Sequence, residues 1–525
     1  MTGEEQAAPA GPSPRQATAG SYGWYALGVL TLVYMLNFID RQILSILAND
    51  IKADLGLTDA DLGFLYGTAF AIFYALFGIP LGRLADGWHR LRLLSLGLAL
   101  WSLMTALSGF ARNLGTLGLA RVGVGVGEAT ASPCAYSLIA DWFPARLRAT
   151  ALAIYSSGLF LGSGLSLLVG GAIVESWNAA YPGGGPLGLA GWQAAFLAVG
   201  IPGLLLVGWV LSLREPERGA IDGLPSHGDP RPWRTLGDQL LQLIPPLTLL
   251  GAARRGGAAL AANLAAALGI GAIAWLLARW TGNRAQFLFL GIGYYAVVSW
   301  AAAQRGRDRP TFALTWTSPA FMAMVFAYAA VCFVGYSVTY WAAPYAERVF
   351  GADKAQLGWL LGAPAALGGF LGVIAGGRCA DLLQARFAWG RIAVVGFALL
   401  APVPIVLVAY GTRSPGLFYL MSFAVQFATS SALGASAAAS QALVLPRMRG
   451  TATAIFFLGT ALIGSALGPF TAGYVSQLTG DLALGVRSTL AAVPFGLVAL
   501  CVALRMAPAA SAGLLDRARA VGEPV

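Results

Sequence analysis

The chain holds 525 residues, of which 57% are hydrophobic and only 11% charged. A soluble domain carries roughly 25% charged residues, so a water-soluble globular fold is excluded. The formal charge of +10 would suit a nucleic-acid ligand in a soluble chain, but its distribution here follows a membrane rule and no nucleic-acid partner is expected.

Residues 1–21 form a polar tail without the basic start and short apolar core of a cleaved signal peptide. Apolar blocks then recur at 23–47, 61–83, 91–110, 116–140, 150–174, 190–213, 257–279, 285–304, 317–345, 357–379, 391–410, 415–443, 450–475 and 484–505. Each is about twenty residues long, enough for a helix to cross the hydrocarbon core; barrel strands would be about half that length. The spacing predicts an all-α polytopic membrane protein with fourteen spans. Arginines gather after the even-numbered blocks: Arg83, Arg90 and Arg92; Arg146 and Arg148; Arg214 and Arg218; Arg254 and Arg255; Arg305, Arg307 and Arg309; Arg378, Arg386 and Arg391; Arg447 and Arg449. The alternate loops are acidic or rich in Gly and Pro, as in NDIKADLGLTDAD (49–61) and NAAYPGGGPLGLAG (178–191). The positive-inside rule therefore places both termini in the cytoplasm. The composition, rich in Ala, Arg and Gly with Lys only at 52 and 354, points to a bacterial inner (plasma) membrane.

The chain repeats itself. LGFLYG (62–67) returns as LGWLLG (357–362), and GRLAD (82–86) as GRCAD (377–381), both offset by 295. RLRATALAI (146–154) returns as RMRGTATAI (447–455), and LGSGL (161–165) as IGSAL (463–467). Two six-helix bundles follow, 22–218 and 305–508, both starting inside and hence parallel repeats. Between them lie a Pro/Gly/Arg-rich cytoplasmic linker (219–255) and two apolar blocks (256–304) forming an inserted transmembrane hairpin; 509–525 is a cytoplasmic tail. The expected place of the hairpin is the outside of the bundle, away from substrate, because its charges lie only at its ends. The cysteines, Cys134, Cys332, Cys379 and Cys501, have neither disulfide nor zinc spacing. No metal and no cofactor are expected, and no enzyme.

The loop GRLADGWHR (82–90) and the run RVGVGVGEA (121–129) resemble motifs of the major facilitator superfamily, with Gly82, Asp86 and Arg90 fitting and Gly87, His89 and Leu91 departing from the usual loop. Within it, NFIDRQILSIL (37–47), LGFLYGTAFAIFYALFGIPLGRLAD (62–86) and GVGEATASPCAYSLIADWFP (125–144) resemble the spinster group, over most of the first five helices. The resemblance implies alternating access and a substrate such as a lysophospholipid or a sphingosine phosphate-like lipid. It also implies a cytoplasmic gate, in which Asp86, Arg90, Arg146, Arg148, Asp381, Arg447 and Arg449 link the halves when the protein opens outward. Twelve-helix members of the superfamily lack the hairpin.

Charges present in both halves belong to the shared scaffold, as with Asp86 and Asp381. Asp40 and Arg41 are different: their counterparts are Gly335 and Tyr336. Glu128 is also unmatched, facing the uncharged ATSSALG (428–434). A charge at the bilayer centre costs about 2.5–3.5 kcal/mol on insertion scales, so it persists where it faces a cavity and has a partner. Tyr34, Asn37, Arg41 and Ser45 follow helical spacing, with Asp40 beside the stripe. Arg121 and Glu128 lie two turns apart on one face of the fourth block. These patterns predict an Arg41–Glu128 contact across a cavity wall.

No phosphate-binding loop for ATP is present, so protons are the expected energy source. His89 and His227 fall in cytoplasmic segments, which leaves Glu128 with Asp40 as proton-coupling residues. Arg41, Asn37, Tyr34, Arg121, Tyr336 and Tyr340 are candidate substrate contacts. A charged wall opposite an aromatic one suits a small amphipathic substrate carried by a monomer within the lipid bilayer. Alternatives are transport of small organic anions or drugs, and a non-transporting receptor or scramblase.

Overall fold

The computed structural model describes residues 20–222 and 228–524; His227 and nearly all of the tail 1–21 lie outside them. Among the described residues thirteen helices are long and apolar enough to cross a membrane. In chain order the elements are α1 (Ser21–Leu55), α2 (Asp59–Gly87), α3 (Arg90–Ser108), α4 (Leu114–Glu128 continued by Ala131–Trp142), α5 (Ala145–Ala180), α6 (Gly191–Leu211), α7 (Gly257–Thr281), α8 (Arg284–Arg307), α9 (Pro319–Phe350), α10 (Lys354–Arg386), α11 (Gly390–Ala409), α12 (Pro415–Gln441), α13 (Pro446–Thr479) and α14 (Leu482–Ala512). The predicted fourth span breaks at Ala129–Thr130. Pro133 cannot donate to the carbonyl of Ala129, and the Thr130 hydroxyl donates back to the Gly127 carbonyl at 2.9 Å. The break leaves Glu128 as the last residue of the first piece.

The halves meet along two equivalent seams, and the repeated hexapeptides lie in them. LGFLYG carries a π-helical turn at Phe64–Thr68 and LGWLLG one at Gly358–Gly362. A Cβ on Gly67 would stand 2.3 Å from the Ser465 carbonyl oxygen of α13, and one on Gly362 would stand 2.5 Å from the Gly164 carbonyl oxygen of α5. Backbones this close admit only glycine, the small-residue contact by which membrane helices gain van der Waals packing. Pro344 adds a polar link. It has no N–H for the carbonyl four residues earlier, and that carbonyl, of Tyr340, instead accepts from the Ser45 hydroxyl of α1 at 2.6 Å.

The inserted segment differs from its expected peripheral role. Within α7 only 6% of the most apolar stretch is buried, so this helix is indeed outermost. But α8 occupies the groove between α2 and α13. Its Gln286 accepts from Thr68 at 2.6 Å, and the same Thr68 hydroxyl lies 2.8 Å from the Ala466 carbonyl. Phe289 meets Phe64 edge-on at 5.2 Å. The linker also folds: Pro232–Leu243 and Leu247–Arg255 are helices.

Candidate functional site

A cavity of about 1490 Å³ lies between the halves and opens at the face that carries the start of α1 and the end of α14. Its blind end holds Arg41, Gln42, Tyr66, Tyr74 and Tyr336; its mouth holds Arg83, Asp86, Arg307, Asp308 and Arg447. The opposite face is shut. There Asp59, at the start of α2, receives both terminal nitrogens of Arg348 (2.8 and 2.9 Å), Lys52 at 2.6 Å and Ser476 at 2.7 Å. Arg348 also donates to Asn49 at 2.7 Å, and Asn49 to Glu347 at 2.8 Å. Lys354 reaches Glu347 and, at 3.2 Å, Asp50. The Ala355 amide donates to Glu175 at 3.1 Å. Every one of these clusters crosses between the halves.

At the blind end, Arg41 Nη2 lies 2.9 Å from Glu128 Oε2, as the helical spacing predicts. The guanidinium is held among three rings, 4.7 Å from Phe38, 4.3 Å from Phe70 and 4.8 Å from Tyr74. Such faces favour a cation and fix its direction. Glu128 is wholly buried, and its second oxygen has no hydrogen-bond partner among the described residues. Tyr34 lines the cavity, stacked on Tyr155 at 4.3 Å.

Other candidates sit elsewhere. Asp40 is wholly buried and faces away from the cavity; neither carboxyl oxygen has a hydrogen-bond partner among the described residues, while its backbone carbonyl accepts from Arg121 at 3.2 Å. Arg121 is also wholly buried and supports this wall from behind. Asn37 is buried without lining the cavity. Tyr340, expected to touch substrate, is fully buried against Tyr66 (4.2 Å, stacked) beneath the closed face; Pro344 and Ser45 hold it there. Tyr336, one turn away, does line the cavity.

Of the expected gate residues, Arg90, Arg148 and Arg447 pair away from the opposite half in this conformation. Arg90 is buried and bonded to Asp141 and Glu215 of its own half, Glu215 at 2.9 Å. Arg148 pairs with Asp222 at 2.6 Å. Arg447 pairs with Asp308 at 3.0 Å and with Glu523 of the C-terminal tail. Asp86 is exposed at the mouth, and Arg146, Asp381 and Arg449 are exposed. Burial alone would raise the Glu215 carboxyl, but backbone amides of Leu91 and Arg90 and the Arg90 side chain outweigh it and hold it below its ordinary value.

The residues of the closed-face cluster are not among the candidates that the sequence singles out. A signal was present: the loop after the first block is acidic, whereas the corresponding loop of the second half carries Arg348 and Lys354.

Two six-helix halves around a central cavity, shut at one face and open at the other, define a helical membrane transporter. The chain belongs to the Major Facilitator Superfamily, whose family model matches residues 30–302. It is 29% identical to an MFS-type efflux pump of Mycolicibacterium smegmatis, over 87% of this chain and 86% of that protein. It is 29% identical to a probable L-galactonate transporter of Escherichia coli, a match spanning 37% of this chain and 40% of that one. Among solved structures it resembles a bacterial homologue of the human lysosomal transporter spinster, in an inward-facing, unoccupied conformation. That likeness has 27% identity and a TM-score of 0.67, covering 95% of this chain and 99% of the other.

Proposed function

We propose that the chain is a proton-coupled secondary transporter that moves a single-tailed amphipathic lipid with an anionic or zwitterionic head, such as a lysophospholipid, by alternating access. Both termini lie in the cytoplasm of a bacterial inner membrane, so the open face is the inward one. The observation that carries the reading is the Arg41–Glu128 pair at the blind end of the cavity. A buried carboxylate favours its neutral form, whereas a facing guanidinium favours the charged one. Substrate that draws Arg41 onto its own anionic group releases Glu128 to take a proton; return of Arg41 expels it. Phe160, Phe457 and Tyr336 supply apolar wall for a hydrocarbon tail.

The likeness to a sugar-acid transporter supports a second reading, a small organic anion clamped by Arg41 without use of the apolar wall. Liposomes holding the purified chain separate the two under an imposed pH gradient. Gradient-driven accumulation of lysophospholipid, abolished in Glu128→Gln, is the expected result. Accumulation of galactarate alone would favour the organic-anion reading, and gradient-independent equilibration of lipid would favour a scramblase.

A further inference from the structure

The inserted segment does more than cover the bundle. Two of its helices each turn one face to the mouth of the cavity. From the linker helix Pro232–Leu243 the lining residues are Thr235, Gln239 and Gln242; from α8 they are Trp300, Gln304 and Arg307. Both sets follow the i, i+4, i+7 spacing of a single helical face. Thr235, Gln239, Gln242 and Gln304 are polar at half-buried positions, where a helix serving only as packing would carry apolar side chains, while Arg307 is exposed at the end of α8 and Trp300 is buried.

Their hydrogen-bonding capacity is largely unspent. Gln304 accepts from the Trp316 indole at 2.8 Å, which orients its amide and leaves the NH₂ group available. Among the described residues, the side chains of Gln239, Gln242 and Arg307 have no hydrogen-bond or ion-pair partner. Arg447, at the same mouth, is compensated by Asp308 and Glu523. The lining there counts three arginines, Arg83, Arg307 and Arg447, against two aspartates, Asp86 and Asp308. An uncompensated cation beside amide donors is the chemistry that receives an oxyanion.

We infer that the inserted segment forms a second, polar subsite at the cavity mouth, in which Arg307 with Gln239, Gln242 and Gln304 binds the anionic end of the transported molecule, a phosphate or carboxylate. The inference rests on the transporter reading above and adds residues from the linker helix and from α8. The blind end, with Arg41, and the mouth, with Arg307, thus offer two successive stations for the same group.

The test is equilibrium binding of radiolabelled lysophosphatidic acid, galactarate and uncharged monoacylglycerol to the full-length chain in detergent. Lysophosphatidic acid is expected to bind Arg307→Gln on the order of tenfold more weakly, the loss of one charge-assisted contact. Arg307→Lys recovers most of the affinity, and monoacylglycerol is unaffected by either. The paired change Gln239→Leu with Gln242→Leu, which leaves every charge in place, weakens the anion several-fold. The inference is overturned if Arg307→Gln and the paired variant bind the anion as wild type does while Arg41→Gln loses it; the transporter reading then stands without the mouth subsite. Binding of galactarate alone, still sensitive to Arg307→Gln, supports the subsite and removes the lipid. A wild-type chain that binds neither anion overturns both.

Discussion

Arg41 and Glu128 meet at 2.9 Å although they stand on different helices, 87 residues apart, and only Arg41 reaches the cavity. Removing one partner of a buried ion pair costs about 3–5 kcal/mol when the other is left charged. Glu128 has an escape that Arg41 lacks, since a carboxyl group can neutralise itself by taking a proton. Arg41→Ala is therefore expected to fold and reach the membrane while losing substrate accumulation at least tenfold. Glu128→Gln is expected to keep substrate binding and lose its coupling to the pH gradient. Membrane yield, gel-filtration profile and gradient-driven uptake in liposomes check both; an Arg41→Ala chain that never folds would make the pair structural.

The shut face depends on Asp59, which holds Arg348 by two bonds and also Lys52 and Ser476. Bidentate guanidinium–carboxylate pairs combine energy with geometry. Asp59→Asn keeps the size but removes the charge, so the population should move toward a state open at that face. Ser45 lies just beneath, bonded to the Tyr340 carbonyl. In a background lacking the exposed Cys379 and Cys501, Ser45→Cys should react slowly with a membrane-impermeant maleimide. Adding Asp59→Asn should speed that reaction by an order of magnitude; an unchanged rate would show that the glycine seams alone keep this face closed.

Those seams are legible in the sequence as repeats. LGFLYG and LGWLLG stood out because duplicated segments keep what the scaffold needs, and a helix crossing at van der Waals distance needs glycine. The span lengths were legible for a similar reason: bilayer thickness dictates them. The Arg41–Glu128 contact could be read because helical spacing and the cost of buried charge both pointed to it. Three features could not be read. The turn at Ala129–Thr130 depends on a local choice between helix and side-chain bonding. The burial of Tyr340 follows from Pro344 acting across the interface on Ser45. The cavity face of α8 depends on which groove the hairpin enters, and Gln286, which fixes that groove, looks in sequence like one polar residue among apolar ones.

Gly67 gives a stability test of the seam. Its added Cβ would lie 2.3 Å from the Ser465 carbonyl oxygen, a backbone atom with no rotamer to escape through. Overpacking of this kind costs about 1–3 kcal/mol. Gly67→Ala should lower the melting temperature in detergent by several degrees and slow transport. Gly208→Ala, where nothing lies within 4 Å, should be neutral or slightly stabilising through helix propensity. Equal melting of the two variants would mean that α2 and α13 slide apart freely.

Glu215 predicts an acid-side response outside the membrane. It accepts from the Arg90 and Leu91 amides, each at 3.0 Å, and from the Arg90 side chain at 2.9 Å. Its carboxyl is held below the ordinary value, burial being outweighed by these donors. A depressed carboxyl contributes stability that is present above the unfolded-state value, about 4.3, and fades as pH falls through the folded one. The anchoring of the α2–α3 loop to the end of α6 should thus weaken as pH falls below about 4.3. In Glu215→Gln the amide cannot replace the charge, so the melting temperature at pH 7 should fall while its decline below about pH 4.3 becomes shallower than in wild type. Parallel melting curves for the two chains across pH 3 to 7 would show that Asp141, the other partner of Arg90, carries the anchor by itself.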